Sequence, residues 1–303
     1  MPTIVNLDGQ IVPPEGARIS VFDHGFLFGD SVYEVIRTYR GIPFTCREHL
    51  ARLERSAAGI GLTLPLSRAG FVGRIVETLR AAAVPEAYIR VVVTRGVGEI
   101  DIDPATCPRP SVLVLAKELR THAPECYSKG VAAALCGIER TSRRATDPGI
   151  KSGNYLNSVL AIMEARRKGC YEGFMRNGEG HLTEGTTSNL FFVSGGRLHT
   201  PAPECGILLG ITRAVVLDLA DAAGTSCQEG FFTSDELLAA DEAFLTSTTR
   251  GVMPIATIEG RRLRAPAPGP VTRQLMERFA AHLEEATTVR DLGEYLEIET
   301  GRK

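Results

Sequence analysis

The sequence has no apolar run of the ~18 residues that a membrane-spanning helix needs. Met1–Asp8 carries no charged segment followed by an apolar core of the kind that directs secretion. A basic excess is missing too: 34 Lys and Arg against 36 Asp and Glu leave a formal net charge of −2, whereas nucleic acids and anionic membrane surfaces select basic proteins. The arginines of Glu139–Arg144 form too short a cluster to change that balance. No CxxC pair occurs among the seven cysteines, and an odd, scattered set makes neither a disulfide framework nor a zinc site. Gly59-Ile-Gly61 lacks the third glycine of a dinucleotide fingerprint, Gly96-Val-Gly98 runs into acidic residues, and neither HExxH nor GxSxG is present. The expectation is a cytoplasmic protein with no metal, nucleic-acid or membrane partner.

What is present is the composition of a globular chain, 303 residues with 44% hydrophobic and 23% charged, enough for one large domain or two medium ones. Gly9 and Val12-Pro-Pro14 separate two short strands, the second at Ile19–Phe22. Ser31–Tyr39, rich in β-branched and aromatic residues and ended by Arg40-Gly-Ile-Pro43, reads as a strand with Tyr33, Val35, Arg37 and Tyr39 on one face and Val32, Glu34, Ile36 and Thr38 on the other. Thr45-Cys-Arg-Glu48 has the form of a capping box. It opens a helix with Leu50, Leu53, Ala57 and Ile60 on one stripe, stopped at Gly61. A second helix covers about Arg68–Ala83, and Tyr88–Thr94 and Ser111–Ala116 read as strands.

The polar stretch Glu118–Lys129, with Pro124, marks the domain boundary: residues 1–118 form one domain, 119–130 a linker, and 131–303 a second domain. That second domain starts with the strand Val131–Cys136 and a long loop. A helix at about Asn154–Lys168 follows, then strands at Glu172–Arg176, His181–Thr183 and Asn189–Val193. A helix at Thr212–Ala223, a strand at Glu242–Thr246 and a helix opened by Pro270 complete it. The pattern is mixed α+β in two domains.

Chemistry concentrates in the second half. Lys151, in Ile150-Lys-Ser-Gly-Asn-Tyr155, precedes a helix bearing Leu156, Val159, Leu160 and Met163. A loop lysine is most often solvated; one among small residues, with few charges and a Tyr nearby, can serve as an amine nucleophile. Glu184, beside Gly185 and four small polar residues, is either a hairpin-turn carboxylate or one that faces a cofactor where the backbone comes close. A carboxylate there can keep a pyridine nitrogen protonated. Leu209-Gly-Ile-Thr-Arg213 opens a helix whose free N–H groups can hold an anion, the alternative being a plain capped helix. Thr246–Gly251 offers a second cluster of hydroxyls and N–H groups.

Taken together, these segments resemble class IV aminotransferases, the group containing branched-chain aminotransferase, D-amino-acid transaminase and aminodeoxychorismate lyase. The resemblance runs from about Asp8 to Leu275, through Phe28–Arg37, His49-Leu-Ala-Arg-Leu53, Lys151–Tyr155, Glu184–Asn189, Thr200-Pro201, Leu209–Arg213 and Ser247-Thr-Thr249. It implies a fold-type IV enzyme of two α/β domains, the first covering a pyridoxal 5′-phosphate cofactor and the second carrying the Schiff-base lysine. By resemblance, Lys151 holds the cofactor covalently and moves the proton, Glu184 pairs with the pyridine nitrogen, and Tyr155 with the phenolic oxygen. Arg52, Ile211, Thr212 and Thr248 hold the phosphate. The implied reaction is a ping-pong transamination between amino acids and 2-oxo acids, in a homodimer.

The substrate residues are mixed. Tyr33-Glu-Val-Ile-Arg37 stands where branched-chain enzymes read Phe-Glu-Gly-Ile-Arg, and Tyr33, Val35 and Ile150-Lys-Ser152 resemble D-amino-acid transaminases. Tyr88-Ile-Arg90, Asn154-Tyr155 and Gly210–Arg213 resemble branched-chain enzymes. Arg37 or Arg90 can reach a substrate carboxylate or form a structural ion pair. At Thr249-Arg250, Arg250 is either a carboxylate clamp or a surface charge. The expectation is a transaminase acting on a branched-chain L-amino acid with 2-oxoglutarate or pyruvate as acceptor. D-amino-acid transaminase, aminodeoxychorismate lyase and a catalytically silent ligand-binding relative are the alternatives.

Overall fold

The computed structural model describes residues 3–301. Among these residues no helix is long and apolar enough to cross a membrane. The chain divides into two compact units: Met1–Arg120, Ile150–Asn154 and Leu283–Lys303 in the first, Thr121–Gly149 and Tyr155–His282 in the second.

In the first unit, β1 (Thr3–Leu7), β2 (Gln10–Val12), β3 (Ser31–Tyr39), β4 (Ile42–Pro43), β5 (Ala87–Thr94) and β6 (Ser111–Glu118) form a six-stranded sheet in the order β2-β1-β6-β5-β3-β4. Helices α1 (His24–Leu27), α2 (Cys46–Gly59) and α3 (Arg68–Ala82) belong to this unit. The β3–β5 register sets Val35 opposite Arg90 and Arg37 opposite Tyr88. Because cross-strand partners point to the same side, Tyr33, Val35, Arg37, Tyr88 and Arg90 share one face. On the other face Val32, Ile36, Ile89, Val91 and Val93 join Leu50, Leu53 and Ala57 of α2 and Phe71, Ile75 and Leu79 of α3 in one apolar core. Each large side chain fully buried there contributes roughly 1.5–3 kcal/mol.

Two local expectations fail in this unit. Ile19–Phe22 is not a strand; Ile19, Val21 and Phe22 are exposed, and the segment's link to a neighbour is the Gly98 N–H donating to the Phe22 carbonyl at 3.2 Å beside the single Asp23–Val97 bridge. The strand partner of β1 comes earlier, because Asp8 and Gly9, both at positive φ (48° and 99°), make a two-residue turn directly into β2. The capping box is also absent. The chain leaves β4 and enters α2 so abruptly that Thr45 adopts a left-handed φ of 50°, and its hydroxyl donates to the Phe44 carbonyl rather than to the helix.

The second unit opens with α4 (Pro124–Ser128), inside the stretch expected to be a linker, and holds α5 (Leu156–Arg167), α6 (Ile211–Ala222), α7 (Ser234–Leu238) and α8 (Pro270–Ala286), whose last turn meets the unit boundary. Its strands are β7 (Val131–Leu135), β8 (Glu172–Arg176), β9 (Leu182–Gly185), β10 (Asn189–Ser194), β11 (Arg197–Pro201), β12 (Cys227–Gly230), β13 (Glu242–Ser247), β14 (Gly251–Ile258) and β15 (Arg261–Arg262). They form a nine-stranded mixed sheet in the order β12-β11-β10-β13-β14-β7-β8-β9, with β15 on β14. Phe174, Leu182, Phe192, Leu245 and Met253 lie in its core.

The helix after Lys151 is inside out relative to the expected stripe. Leu156, Val159, Leu160 and Met163 are exposed, while Ser158, Ala161 and Ala165 face inward. The cause is close approach. A Cβ on Gly173 of β8 would lie 2.5 Å from Cys136 Sγ and 3.0 Å from Ala165 Cβ, so only a face of small residues fits against the sheet.

A last helix, α9 (Leu292–Glu299), belongs to the first unit, where Tyr295 is buried in the apolar core with Leu292 and Leu296 packed against it. The expected division at 118 and 131 therefore misses two excursions. Residues 150–154 join the first unit because they run beside β3: the Tyr33 N–H donates to the Lys151 carbonyl at 3.0 Å, and the Gly153 N–H to the Ser31 carbonyl at 2.9 Å. Ile150 packs into the apolar core there.

Candidate active site

In the first unit, Lys151 is held by its backbone at both ends, its own N–H donating to the Ser56 hydroxyl of α2 at 3.1 Å and its carbonyl accepting from β3. Its Nζ lies 4.6 Å from the centre of the Tyr33 ring. The guanidinium carbon of Arg90 lies 4.0 Å from the centre of that ring, and that of Arg37 lies 3.8 Å from the centre of Tyr39. A guanidinium stacked on a ring points its N–H donors along the ring plane, and Arg37 Nε donates to the Thr38 carbonyl at 3.4 Å. Tyr33, Val35, Arg37, Tyr88 and Arg90 are thus brought to one sheet face, opposite the apolar core.

Arg52 is almost completely buried, with Nε 2.6 Å and Nη2 2.8 Å from the two carboxylate oxygens of Glu34. The same carboxylate receives His49 Nδ1 at 2.7 Å. Burial works against the charge of Glu34, but the adjoining Arg52 and His49 outweigh it and bring its pKa down to about 2. For His49 the balance is the reverse: burial lowers its pKa against the pull of Glu34, with Arg52 and Lys151 adding to the lowering.

In the second unit, Glu184 is buried on β9. Its Oε1 accepts from Arg140 Nε at 2.9 Å, and its Oε2 from the Leu208 N–H at 2.9 Å and Asn189 Nδ2 at 3.3 Å. These three donors fix the carboxylate's orientation. Gly210 is the N-cap of α6 and no side chain caps that helix, so Ile211 and Thr212 sit at an N-terminus whose N–H groups can receive an anion. A Cβ at Gly210 would fall 2.0 Å from Asn189 Oδ1, which is why only glycine permits this approach. Thr248 and Thr249 lie in the turn between β13 and β14, and Tyr155 immediately precedes α5. A cavity of about 300 Å³ is lined by Tyr155, Ser158, Tyr171, Thr187, Thr249 and Arg250, among others.

Arg250 is not a surface charge. It is 8% exposed, with Nη1 2.7 Å from Glu172, Nε 2.8 Å from the Ser247 hydroxyl, and Nη2 2.8 Å from the Thr187 carbonyl. Burial raises the pKa of Glu172, but Arg250 and the hydrogen bonds from Thr186 and Gly173 prevail and lower it. Breaking a buried pair strands the other charge. We therefore expect Arg250→Leu to destabilise the protein by about 3–5 kcal/mol in urea titrations. An unchanged midpoint with a raised KM would instead make Arg250 a substrate clamp.

Residue-type reasoning missed the supporting groups Glu34, His49, Arg140, Asn189 and Glu172. The i, i+3 spacing of His49 and Arg52 on a helix was a usable signal; Arg140 sits in a loop where no periodicity marks it.

The first unit offers an amine and the second a fixed carboxylate and an uncapped helix start, the parts of an enzyme of amine chemistry. The family model for amino-transferase class IV matches residues 31–258, and the chain belongs to that family: it is an aminotransferase. It is 39% identical to a putative branched-chain-amino-acid aminotransferase of Methanocaldococcus jannaschii over 91% of this chain and 94% of the relative. It is 34% identical to a D-alanine aminotransferase of Bacillus licheniformis over 89% and 94%. The branched-chain amino acid aminotransferase of Thermobaculum terrenum, solved in its pyridoxal-phosphate form, superposes with a TM-score of 0.84 at 29% identity, covering 94% of this chain and 95% of that one. The mixed α/β, fold-type IV architecture expected from the sequence is that of the structural neighbours.

Proposed function

We propose that this aminotransferase moves the amino group of a branched-chain L-amino acid to a 2-oxo acid such as 2-oxoglutarate in two half-reactions, with Lys151 as its catalytic amine. The cofactor is pyridoxal 5′-phosphate. The observation that carries the reading is the Tyr33 ring, against which lie both the Lys151 amine and the Arg90 guanidinium: one end suits amine exchange, the other a carboxylate. The chain's residues fit the cofactor, with a buried guanidinium at Arg52, an uncapped start of α6 and a buried carboxylate at Glu184.

Bound pyridoxal phosphate supplies an aldehyde for amine exchange and a ring that accepts the electrons of the substrate Cα–H bond. In this reading the freed Lys151 Nζ takes that proton and returns it to the cofactor carbon. Glu184 holds a proton at the ring nitrogen, and Tyr155 donates to the phenolic oxygen. Arg52, Ile211, Thr212 and Thr248 bind the phosphate. Arg90 and Arg37, with Tyr33, Val35 and Tyr88 on the same face and Thr249 in the second unit, select the substrate.

The test is the half-reaction, followed as loss of the cofactor's visible absorbance. L-leucine is expected to bleach it and release the corresponding 2-oxo acid, while D-alanine leaves it; a response to D-alanine only would overturn the substrate assignment. That second reading, a D-amino-acid transaminase, has Val35 in its favour, since this residue stands directly opposite Arg90. Pyruvate release from aminodeoxychorismate without an amino acceptor would make the chain a lyase, and a protein left colourless by added cofactor would make it a silent relative.

A homodimer is part of the same proposal. The exposed Leu156, Val159, Leu160 and Met163 stripe of α5 repeats at helical spacing, and a second copy can cover it. Leu160→Glu is expected to shift sedimentation toward the monomer; an unchanged dimer would place the interface elsewhere.

A further inference from the structure

The Nε2 atom of His49 is buried and has no hydrogen-bond partner among the described residues. Buried polar atoms are as a rule paired with protein, water, ion or ligand, so an orphan of this kind calls for a partner. Its surroundings say which. Nδ1 of the same ring is committed to Glu34 Oε2 at 2.7 Å, and that oxygen also takes Arg52 Nη2 at 2.8 Å. His49 and Arg52 therefore project from one face of α2 onto a single carboxylate. The charged groups facing the imidazole are Glu34 from β3, Arg52 from its own helix and Lys151 from the segment beside β3. Two of these three are cations, and Glu34 is already engaged by Arg52 through both of its oxygens. An anion completes such a cluster; a further cation does not.

We propose that His49 is a second anchor for the phosphate of the cofactor, its Nε2 taking up a proton from solvent as the anion binds and donating it to a phosphate oxygen. The inference rests on the reading of Arg52 as the phosphate-binding arginine. Burial, with Arg52 and Lys151 adding to it, lowers the pKa of the imidazole against the pull of Glu34. A phosphate dianion reverses that balance and raises the pKa of the ring in the filled site. Proton uptake then accompanies binding wherever the pH lies between the two values, and affinity falls as the pH rises through that window.

The probe is pyridoxine 5′-phosphate, whose alcohol cannot condense with Lys151, compared with pyridoxine. Both are titrated into cofactor-free protein by calorimetry at about pH 8, where a phosphate monoester is already a dianion, in a pair of buffers differing in ionisation enthalpy. The wild type is expected to take up about one proton per site with the phosphate ester and none with pyridoxine. His49→Asn keeps a side-chain donor toward Glu34 but has nothing at the Nε2 position. It is expected to take up none, and to bind the phosphate ester about 10- to 100-fold more weakly with its affinity for pyridoxine unchanged. Equal uptake in wild type and variant would overturn the proposal.

Should the variant not fold, ¹⁵N spectra of histidine-labelled wild type decide: Nε2 is expected at the imidazolium position in the saturated protein, and a resonance left at the unprotonated position refutes the inference. A wild type that prefers the phosphate ester, loses that preference with Arg52→Ala, yet shows no His49-linked proton would leave Arg52 in place and sink only the role of His49. A wild type with no preference at all would sink both.

Discussion

Lys151→Ala is expected to yield a folded protein that stays colourless with added pyridoxal phosphate and transaminates L-leucine at least about 10⁴-fold more slowly. The fold should survive because what Lys151 gives the first unit comes from its backbone: the N–H to Ser56 and the carbonyl to Tyr33 are both retained by alanine. The side chain is only half-buried, so its removal leaves no large cavity. Loss of colour and turnover at an unchanged melting temperature therefore separates a chemical role from a structural one. Retained turnover would mean that another amine does the chemistry.

Glu34→Gln is the second large effect, and it falls on stability. Glu34 is completely buried and binds both Arg52 and His49; an amide of the same shape leaves the guanidinium without a counter-charge, at a cost of about 3–5 kcal/mol. The pH dependence has a definite sign. The Glu34 pKa falls from 4.5 to about 2 on folding, against the burial that would raise it, through Arg52 and His49. Its contribution is therefore fully present above the unfolded value and fades as the pH drops toward 2. The gap between wild type and variant in urea denaturation should be wide at neutral pH and narrow progressively below pH 4.5. A gap that does not change with pH would mean that packing, not charge, carries the contribution.

The difference between what could and could not be read in advance follows from which forces act locally. Ser31–Tyr39 and Glu172–Arg176 were legible to the residue because alternation or continuous burial leaves a local imprint. β14 was not: Pro254 interrupts it, and the strand exists because Phe244 pairs with that residue from the neighbouring strand. β12, Cys-Gln-Glu-Gly, is an edge strand too polar to announce itself. The stripe on α5 was found and its direction misjudged, since which face turns inward depends on Gly173, distant in sequence. At the candidate site the residues of recognisable type, Lys151, Glu184 and Arg52, stood out by chemistry and order. Their supports Arg140 and Glu34 did not, because a carboxylate–arginine pair across 44 or 18 residues leaves no spacing to detect.

The short run Ile150–Asn154 has one more consequence. The chain changes unit four times, after Arg120, Gly149, Asn154 and His282, so neither unit is a continuous stretch of polypeptide. No single cut of the gene yields either one whole, and a chimera that exchanges the second half for that of a relative also exchanges a strip of the first unit. Substrate preference grafted in this way would travel with Lys151 and its β3 register rather than with the domain that the sequence order marks out.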